Sequence, residues 1–357
     1  MAVLIPSAPA ILRAFGHPFG SPAPAVARSE GDAAVVSVGG GHGRPDMSRW
    51  EGVTLFHEPW WLDAVAPGEW TTLCAYRKDR EVGILPVWKR KVKGFDCWTA
   101  PPLTRVLGPA IDLGDGNANS RLQQRLSVTA ALLAQIPESC CFRQALDPST
   151  PDVLAFQAQG FETSPHYTIH VDCSDLDTVW AGFRQSTRRF IRTAQADFEV
   201  ETWSDPKGFV DFYIKNLQGK RLPRLASLVR FESIFETCRA RDQGNVFVAR
   251  DKQKRPAAAV FAAWGHGRLY YILTTRNKEI LDYRVVSLII WRLMAEANAR
   301  GLILDLDGIT SDSILRFLTA FGGVIVPRMI VERYPRGFEA LTILRDLARR
   351  RRKPTFV

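Results

Sequence analysis

The chain has 357 residues, 46% of them hydrophobic and 24% charged, enough for two domains with ample core material in 10 Trp and 20 Phe. No apolar run approaches the roughly 18 residues of a membrane-spanning helix, so the sequence reads as a soluble, cytoplasmic protein with no membrane span. The net charge of +10 is concentrated in part in Arg349-Arg350-Arg351-Arg352-Lys353; a solvated helix end accounts for that block more simply than a nucleic-acid contact.

Residues 1–47 are rich in Ala, Pro and Gly, show no helical or strand period, and read as a flexible extension or a start codon placed too early. Pro6 and Pro9 interrupt the weakly apolar opening, a poor fit to a secretory signal. From Arg49 the texture becomes α/β. A short helix is predicted over Glu58–Val65, with the aromatic pair Trp60-Trp61, followed by strands at Thr71–Arg77 and Glu81–Arg90 around the turn Lys78-Asp79-Arg80. An amphipathic helix at Asn119–Gln135, a strand at Cys140–Ala145, a helix at Pro151–Gln159 and a strand at Thr168–Val171 complete a first lobe, residues 48–172.

A second lobe, residues 173–325, opens on the capping sequence Ser174-Asp175-Leu176-Asp177 and a basic helix from Ser186 to Ala196. A strand at Phe198–Trp203, a helix begun by Asp205-Pro206, and a helix at Phe231–Ala240 follow. Three strands are predicted at Val246–Arg250, Ala257–Trp264 and Leu269–Thr274, then the long helix Arg284–Arg300, stopped by Gly301. The compact strand Leu302–Leu306 and a helix at Asp312–Phe321 close the lobe, and a last strand at Val324–Val331 leads into a C-terminal segment of strand and basic helix. The terminal helix, Phe338–Arg352, belongs to this segment (326–357), which is expected to pack back on the first lobe.

Three groups of residues can carry chemistry. Arg184, Arg188 and Arg192 are spaced four apart, so one helix face presents three guanidiniums suited to a phosphate, or simply a solvated face. Asp305 and Asp307 alternate at the end of an apolar strand and share one face of a sheet. Their mutual repulsion can raise one pKa enough for base catalysis, although capping of the following turn explains them as well. Asp282 and Arg284 sit where the long helix meets its preceding loop, a natural anion site or a plain helix cap.

Other signals are absent or fail. The six Cys form no C-x-x-C pair, no metal-ligand spacing is present, and buried free thiols are the simplest reading. Arg105-Val106-Leu107-Gly108-Pro109-Ala110 matches a loose pyrophosphate-loop pattern but does not run from strand into helix, and Pro109 lacks the amide such a loop uses.

The order of these pieces resembles the FemAB-like branch of the GNAT acyltransferase superfamily, including the cellulose-biosynthesis-type acetyltransferases. Phe56–Leu62 is similar to that family's "F-x-x-P-x-W-L" opening, and Arg188–Ala194 to its "R-R-x-I-R-K-A" helix. Leu269-Tyr270-Tyr271-Ile272-Leu273 resembles its aromatic strand, and Ala297–Gly301 its "A-x-x-x-G" helix end. Asp305–Gly308 resembles "D-f-g-G", and Phe317–Gly322 resembles "F-K-x-x-F-G". The resemblance implies an α/β fold of two GNAT-like lobes, each a mixed β-sheet flanked by helices, with donor and acceptor meeting in a cleft between them.

It also implies direct acyl transfer to an amine or hydroxyl of a polar acceptor: a sugar, an amino compound or a cell-envelope precursor. The family's lysine after the Phe is replaced here by Leu318, which favours acyl-CoA over aminoacyl-tRNA as donor. No permanently bound cofactor or metal is expected. Asp305 and Asp307 are the catalytic candidates. Arg184, Arg188, Arg192 and Arg284 are candidates for phosphate contacts, and Trp60, Trp61, Tyr271 and Asp282 for the pocket. A non-catalytic module gripping RNA or another polyanion is the alternative of a different class.

Overall fold

The computed structural model describes residues 46–92, 94–217, 228–277, 279–280, 284–307, 309 and 311–338. Asp282, Gly308, the Arg349–Lys353 block, nearly all of the expected terminal helix and residues 1–45 of the N-terminal extension lie outside these. Among the described residues twelve strands form one mixed sheet. They are β1 (Trp70–Arg77), β2 (Arg80–Val92), β3 (Phe95–Thr99), β4 (Ala110–Ile111), β5 (Cys141–Ala145), β6 (Glu162–Asp172), β7 (Phe198–Thr202), β8 (Gly244–Asp251), β9 (Pro256–Gly265), β10 (Arg268–Arg276), β11 (Ile303–Asp305) and β12 (Val324–Arg333). Their order is β1-β2-β3-β5-β12-β6-β11-β10-β9-β8-β7, with β4 paired to β2 off that path.

The elements follow from local sequence. Lys78 and Asp79 both adopt positive φ (48° and 64°), the mirror-image turn that matches the twist of the β1–β2 hairpin. Helix α1 (Pro59–Val65) begins on a proline, and α2 (Ala118–Leu133) is capped by the Asn117 side chain. A short helix α3 (Leu154–Ala158) precedes β6. In α4 (Leu176–Gly182) the cap is Asp175, which accepts from the amides of Asp177 and Thr178. Helix α5 (Gln185–Asp197) carries the basic stripe. Asp205 caps α6 (Pro206–Asn216), and α7 (Phe231–Ala240) follows. Helix α8 (Arg284–Ala299) is followed by Gly301 at φ 64°, the left-handed conformation that favours glycine. Helix α9 (Asp312–Leu318) runs into a single 3₁₀ turn, Thr319–Phe321.

Both faces of the second lobe's sheet are covered. On one, α1, α6 and α7 pack over Val246, Val248, Phe261, Tyr270 and Ile272. On the other, α5 and α8 bury Phe247, Ala262, Leu269 and Leu304. In the first lobe, α2 and α3 cover Leu85, Phe142 and Val331. Helix α1, from the N-terminal half of the chain, seals the second lobe: Phe56, just before it, packs against Tyr270 with ring centroids 4.6 Å apart and planes tilted by 54°, and the Trp61 ring lies 5.0 Å from that of Phe56.

The lobes share the sheet through two junctions. Strand β6 pairs with β11 in antiparallel register, Ile303 opposite Asp172 and Asp305 opposite His170. Strand β12 returns between β5 and β6, pairing with both. At its entry Gly323 has φ 84°, and a Cβ there would meet the His170 carbonyl oxygen at 2.6 Å. Gly323→Ala is therefore expected to lower stability by about 2 kcal/mol or more, the combined effect of a left-handed backbone and a backbone clash. Urea unfolding of the full chain checks this, and an unchanged midpoint would contradict it.

Candidate active site

Alternation along β11 and β6 places a row of polar side chains on one face, where the lobes join. Tyr270, Asp305 and His170 are directly opposite one another across β10, β11 and β6. Asp305 is 1% exposed. Its Oδ1 accepts from the Thr168 hydroxyl and from the Asp307 amide (3.1 Å), and its Oδ2 lies 3.3 Å from His170 Nε2. Burial alone raises this carboxyl's pKa, but the His170 imidazole, the Thr168 hydroxyl and the Arg328 charge outweigh it and hold the group below the ordinary carboxylate value.

Asp307, on the same face, is paired twice. Arg105 Nε is 3.2 Å from its Oδ2, and Arg328 Nη2 is 2.6 Å from its Oδ1. Both contacts are within ion-pair reach, yet Asp307 Oδ1, Arg105 Nε and Arg328 Nε and Nη1 lack aligned hydrogen bonds despite being buried. The Tyr270 hydroxyl and His170 Nε2 are in the same position. Buried polar atoms so placed are costly unless a further partner completes them, about 1–3 kcal/mol each. Beside them Arg268 pairs with buried Asp147, joining the first residue of β10 to the loop after β5.

The opening at this face comes from limited pairing. Strands β10 and β11 run parallel for only three residue pairs, ending at Tyr270–Asp305. Strand β10 continues to Arg276 with an irregularity between Tyr271 and Leu273, and beyond Tyr270 its β11 side has no strand partner among the described residues. A strand edge is the kind of surface along which an extended ligand can pair. Helix α8 begins just beyond the loop that follows β10.

The sequence candidates fall out differently. Asp305 and Asp307 do share one face, but mutual repulsion does not raise Asp305; each carboxylate has its own cationic or hydrogen-bonding partners. Arg188 is turned to α4, donating from Nη1 to the carbonyls of Trp180 (3.3 Å) and Ala181 (2.8 Å). The Arg192 guanidinium lies over the Trp180 ring at 5.4 Å, and the Arg184 amide bonds to the Ala320 carbonyl. The stripe thus braces α4 against α5. Arg284 is the first residue of α8. Trp61 is wholly buried, its indole N–H donating to the Thr104 hydroxyl, so it is core rather than pocket wall. Trp60 is half-buried beneath Arg241. Tyr271 packs in the α8 layer, and burial pushes its hydroxyl up to about 12.

Thr168, His170, Arg105 and Arg328 were not singled out from sequence. The separation of 137 residues between Thr168 and Asp305 leaves no local signal. Arg105 did carry one, the rejected pyrophosphate-like pattern, but its partner in the structure is a carboxylate. No group of three or more His, Cys, Asp or Glu with metal-binding geometry occurs among the described residues. All six cysteines are free and buried.

With this geometry in place, the comparisons give the class. Residues 181–312 match the family model for the GNAT acetyltransferase domain. A crystal structure of FemX superposes with a TM-score of 0.59 at 13% identity, covering 83% of this chain and 96% of that one. A tandem GNAT protein from the clavulanic acid biosynthesis pathway aligns at 11% identity and a TM-score of 0.46, over 75% of this chain and 83% of its own. No curated protein matches in sequence. The GNAT resemblance read from the motifs holds for residues 181–312, the FemX superposition extends a likeness in fold over most of the chain, and the fold is α/β, a mixed sheet flanked by helices. The chemistry of the GNAT acetyltransferase domain that residues 181–312 match is acyl transfer. Among the described residues, no helix is long and apolar enough to cross a membrane.

Two stability measurements follow. Asp147→Ala leaves the half-buried Arg268 without its carboxylate partner, so a loss of about 2–3 kcal/mol in urea unfolding is expected, with Asp147→Ala/Arg268→Met recovering most of it. Asp305 has a folded pKa below its unfolded value, so its contribution is present above the unfolded carboxylate pKa of about 4 and is lost as pH falls through the folded one. Asp305→Asn should remove that component of acid sensitivity, seen as a flatter stability-against-pH curve below about pH 5.

Proposed function

We propose that this protein transfers an acyl group from acyl-CoA to an amine or hydroxyl of a polar acceptor: a sugar, an amino compound or a cell-envelope precursor. The observation that carries the reading is the β10–β11 opening beside the Asp305–Asp307 row. An extended pantetheine arm fits between parted strands, where it meets the unpaired edge of β10. Amides on that edge stabilise the oxyanion that forms as the thioester carbonyl is attacked. The donor's phosphates sit at the α8 N-terminus, where helix amides and Arg284 favour an anion. The α5 stripe is less suited to them, because Arg188 and Arg192 are engaged with α4.

The acceptor lies on the β6–β12 side, against Asp305, Asp307, Arg105 and Arg328. Asp307 holds the two guanidiniums in place, and their unsatisfied N–H groups select a ligand rich in hydrogen-bond acceptors. Leu318 is 3% exposed and stands where FemAB-like relatives carry a lysine, which supports a thioester over a charged-tRNA donor. The protein acts with no permanently bound cofactor.

Purified protein incubated with radiolabelled acetyl-CoA or with charged tRNA, and a panel of amino sugars and amino acids, tests the donor. Label passing only from charged tRNA would sink the acyl-CoA reading. Asp307→Asn is expected to lower kcat/KM at least about 10-fold while the acetyl-CoA Kd moves little. A polyanion-binding module would show instead steeply salt-dependent RNA binding untouched by that substitution.

A further inference from the structure

We infer that His170 is the base that takes the acceptor's proton, and that Asp305 is the carboxylate that positions it; the inference rests on the acyl-transfer reading and assigns this step to a particular residue. Asp305 is built as an orienting group rather than a reacting one. It is 1% exposed, and its Oδ1 is already occupied by the Thr168 hydroxyl and the Asp307 amide. Only Oδ2 remains, and it faces His170 Nε2 at 3.3 Å. A carboxylate held ionised beside one ring nitrogen favours the tautomer with its proton on Nε2. Nδ1 is then left as a lone-pair acceptor.

The rest of the ring's surroundings fit that division. His170 Nδ1 has no hydrogen-bond partner among the described residues, and it is the nitrogen that solvent reaches, the side chain being 13% exposed. Directly across β12, Val324 is 67% exposed and covers nothing, and the neighbouring Gly323 has no side chain. The way to Nδ1 is therefore open on the acceptor side. From Asp305, where β10 and β11 part, the next strand over is β6, a spacing of about 5 Å. The His170–Asp305 contact is longer than an ideal hydrogen bond and imperfectly aligned, as catalytic contacts commonly are before substrate tightens them.

The step balances simply. The acceptor's nitrogen or oxygen bonds to the thioester carbonyl carbon while His170 Nδ1 takes its proton. The tetrahedral intermediate collapses, the C–S bond breaks, and the CoA thiolate leaves with the proton that His170 returns. The products are an amide or ester and free CoA. Asp305 keeps its charge throughout and stabilises the imidazolium between the two transfers.

The test combines His170→Ala, His170→Gln and Asp305→Asn in the full chain, with circular dichroism and thermal unfolding as the check on folding. CoA release from acetyl-CoA is followed with D-glucosamine and with hydroxylamine as acceptors, and acetyl-CoA binding by calorimetry. His170→Ala and His170→Gln should each lower kcat about 10²–10⁴-fold with acetyl-CoA affinity unchanged. Added imidazole should restore part of the rate to His170→Ala and none to Asp305→Asn, whose imidazole is present but misdirected. A folded His170→Ala or His170→Gln enzyme within about threefold of wild-type kcat would overturn the base assignment, as would a loss found wholly in donor binding. Independently of turnover, ¹⁵N spectra of histidine-labelled protein should show the Nε2–H tautomer for the resonance that His170→Gln removes, and Asp305→Asn should abolish that preference. An Nδ1–H tautomer overturns the inference. Wild-type protein that transfers to neither acceptor counts against the acyl-transfer reading, and the tautomer then still decides whether Asp305 positions His170.

Discussion

A carboxylate with almost no exposure cannot stand alone, and Asp305 is such a group at the point where the two lobes meet. Removing an ionised carboxylate from water costs several kcal/mol unless nearby dipoles and charges replace the lost hydration. Two of the replacements, Thr168 and His170, come from β6, which lies on the N-terminal side of the second lobe in sequence. Their positions alternate with Ile169, which faces the apolar layer under α8. A slip of one residue between β6 and β11 would turn both polar partners into that layer and leave the carboxylate bare. The buried charge therefore specifies the register that joins the lobes.

The same requirement explains why β12 lies where it does. It brings Arg328 beside Asp307 while pairing with β6 from Glu162 to His170, and it can approach His170 so closely because Gly323 presents no Cβ. On the other side of the opening, Arg105 reaches Asp307 from the loop before β4, and Arg268 ties β10 to Asp147. Five segments of the chain are thus held by charge at one face, while the apolar layers on α1 and α8 hold the strands behind them. The ion pairs fix which strands meet, and the hydrophobic layers supply most of the stability.

Much of the fold was legible because its signals are local. The caps at Asp175 and Asp205, the breaks at Gly301 and Gly322-Gly323, and the apolar α8 are written within a few residues of where they act. Strand β3, by contrast, went unread: its five residues include Asp96 and a half-buried Trp98, too short and mixed a pattern to stand out. The outer half of β6 was missed because Pro165 and exposed His166 and Tyr167 interrupt any alternation. In the site, the shared face of Asp305 and Asp307 followed from period two alone. What charge state they hold did not, since repulsion between neighbours was the only interaction visible in sequence. The counter-charges arrive from far along the chain (His170 and Arg105 more than a hundred residues before, Arg328 on the next strand after), and they hold Asp305 below the ordinary carboxylate value instead of raising it.

That reversal bears on how acyl transfer can be arranged here. A base must accept a proton near neutral pH and face the acceptor, and Asp305 meets neither condition, being stabilised as an anion and closed off from solvent. The imidazole beside it is neither closed off nor fully engaged. A carboxylate lowered in pKa is the better orienting partner for such a ring, because it keeps its charge as the imidazolium forms. The features that disqualify Asp305 as a base are those that suit it to hold His170, and the pairing that buries it also sets the ring between the β10–β11 opening and the exposed end of β12. In the proposed arrangement donor and acceptor approach from the two sides of Asp305 along one shared sheet, with the proton acceptor on the strand that joins the lobes.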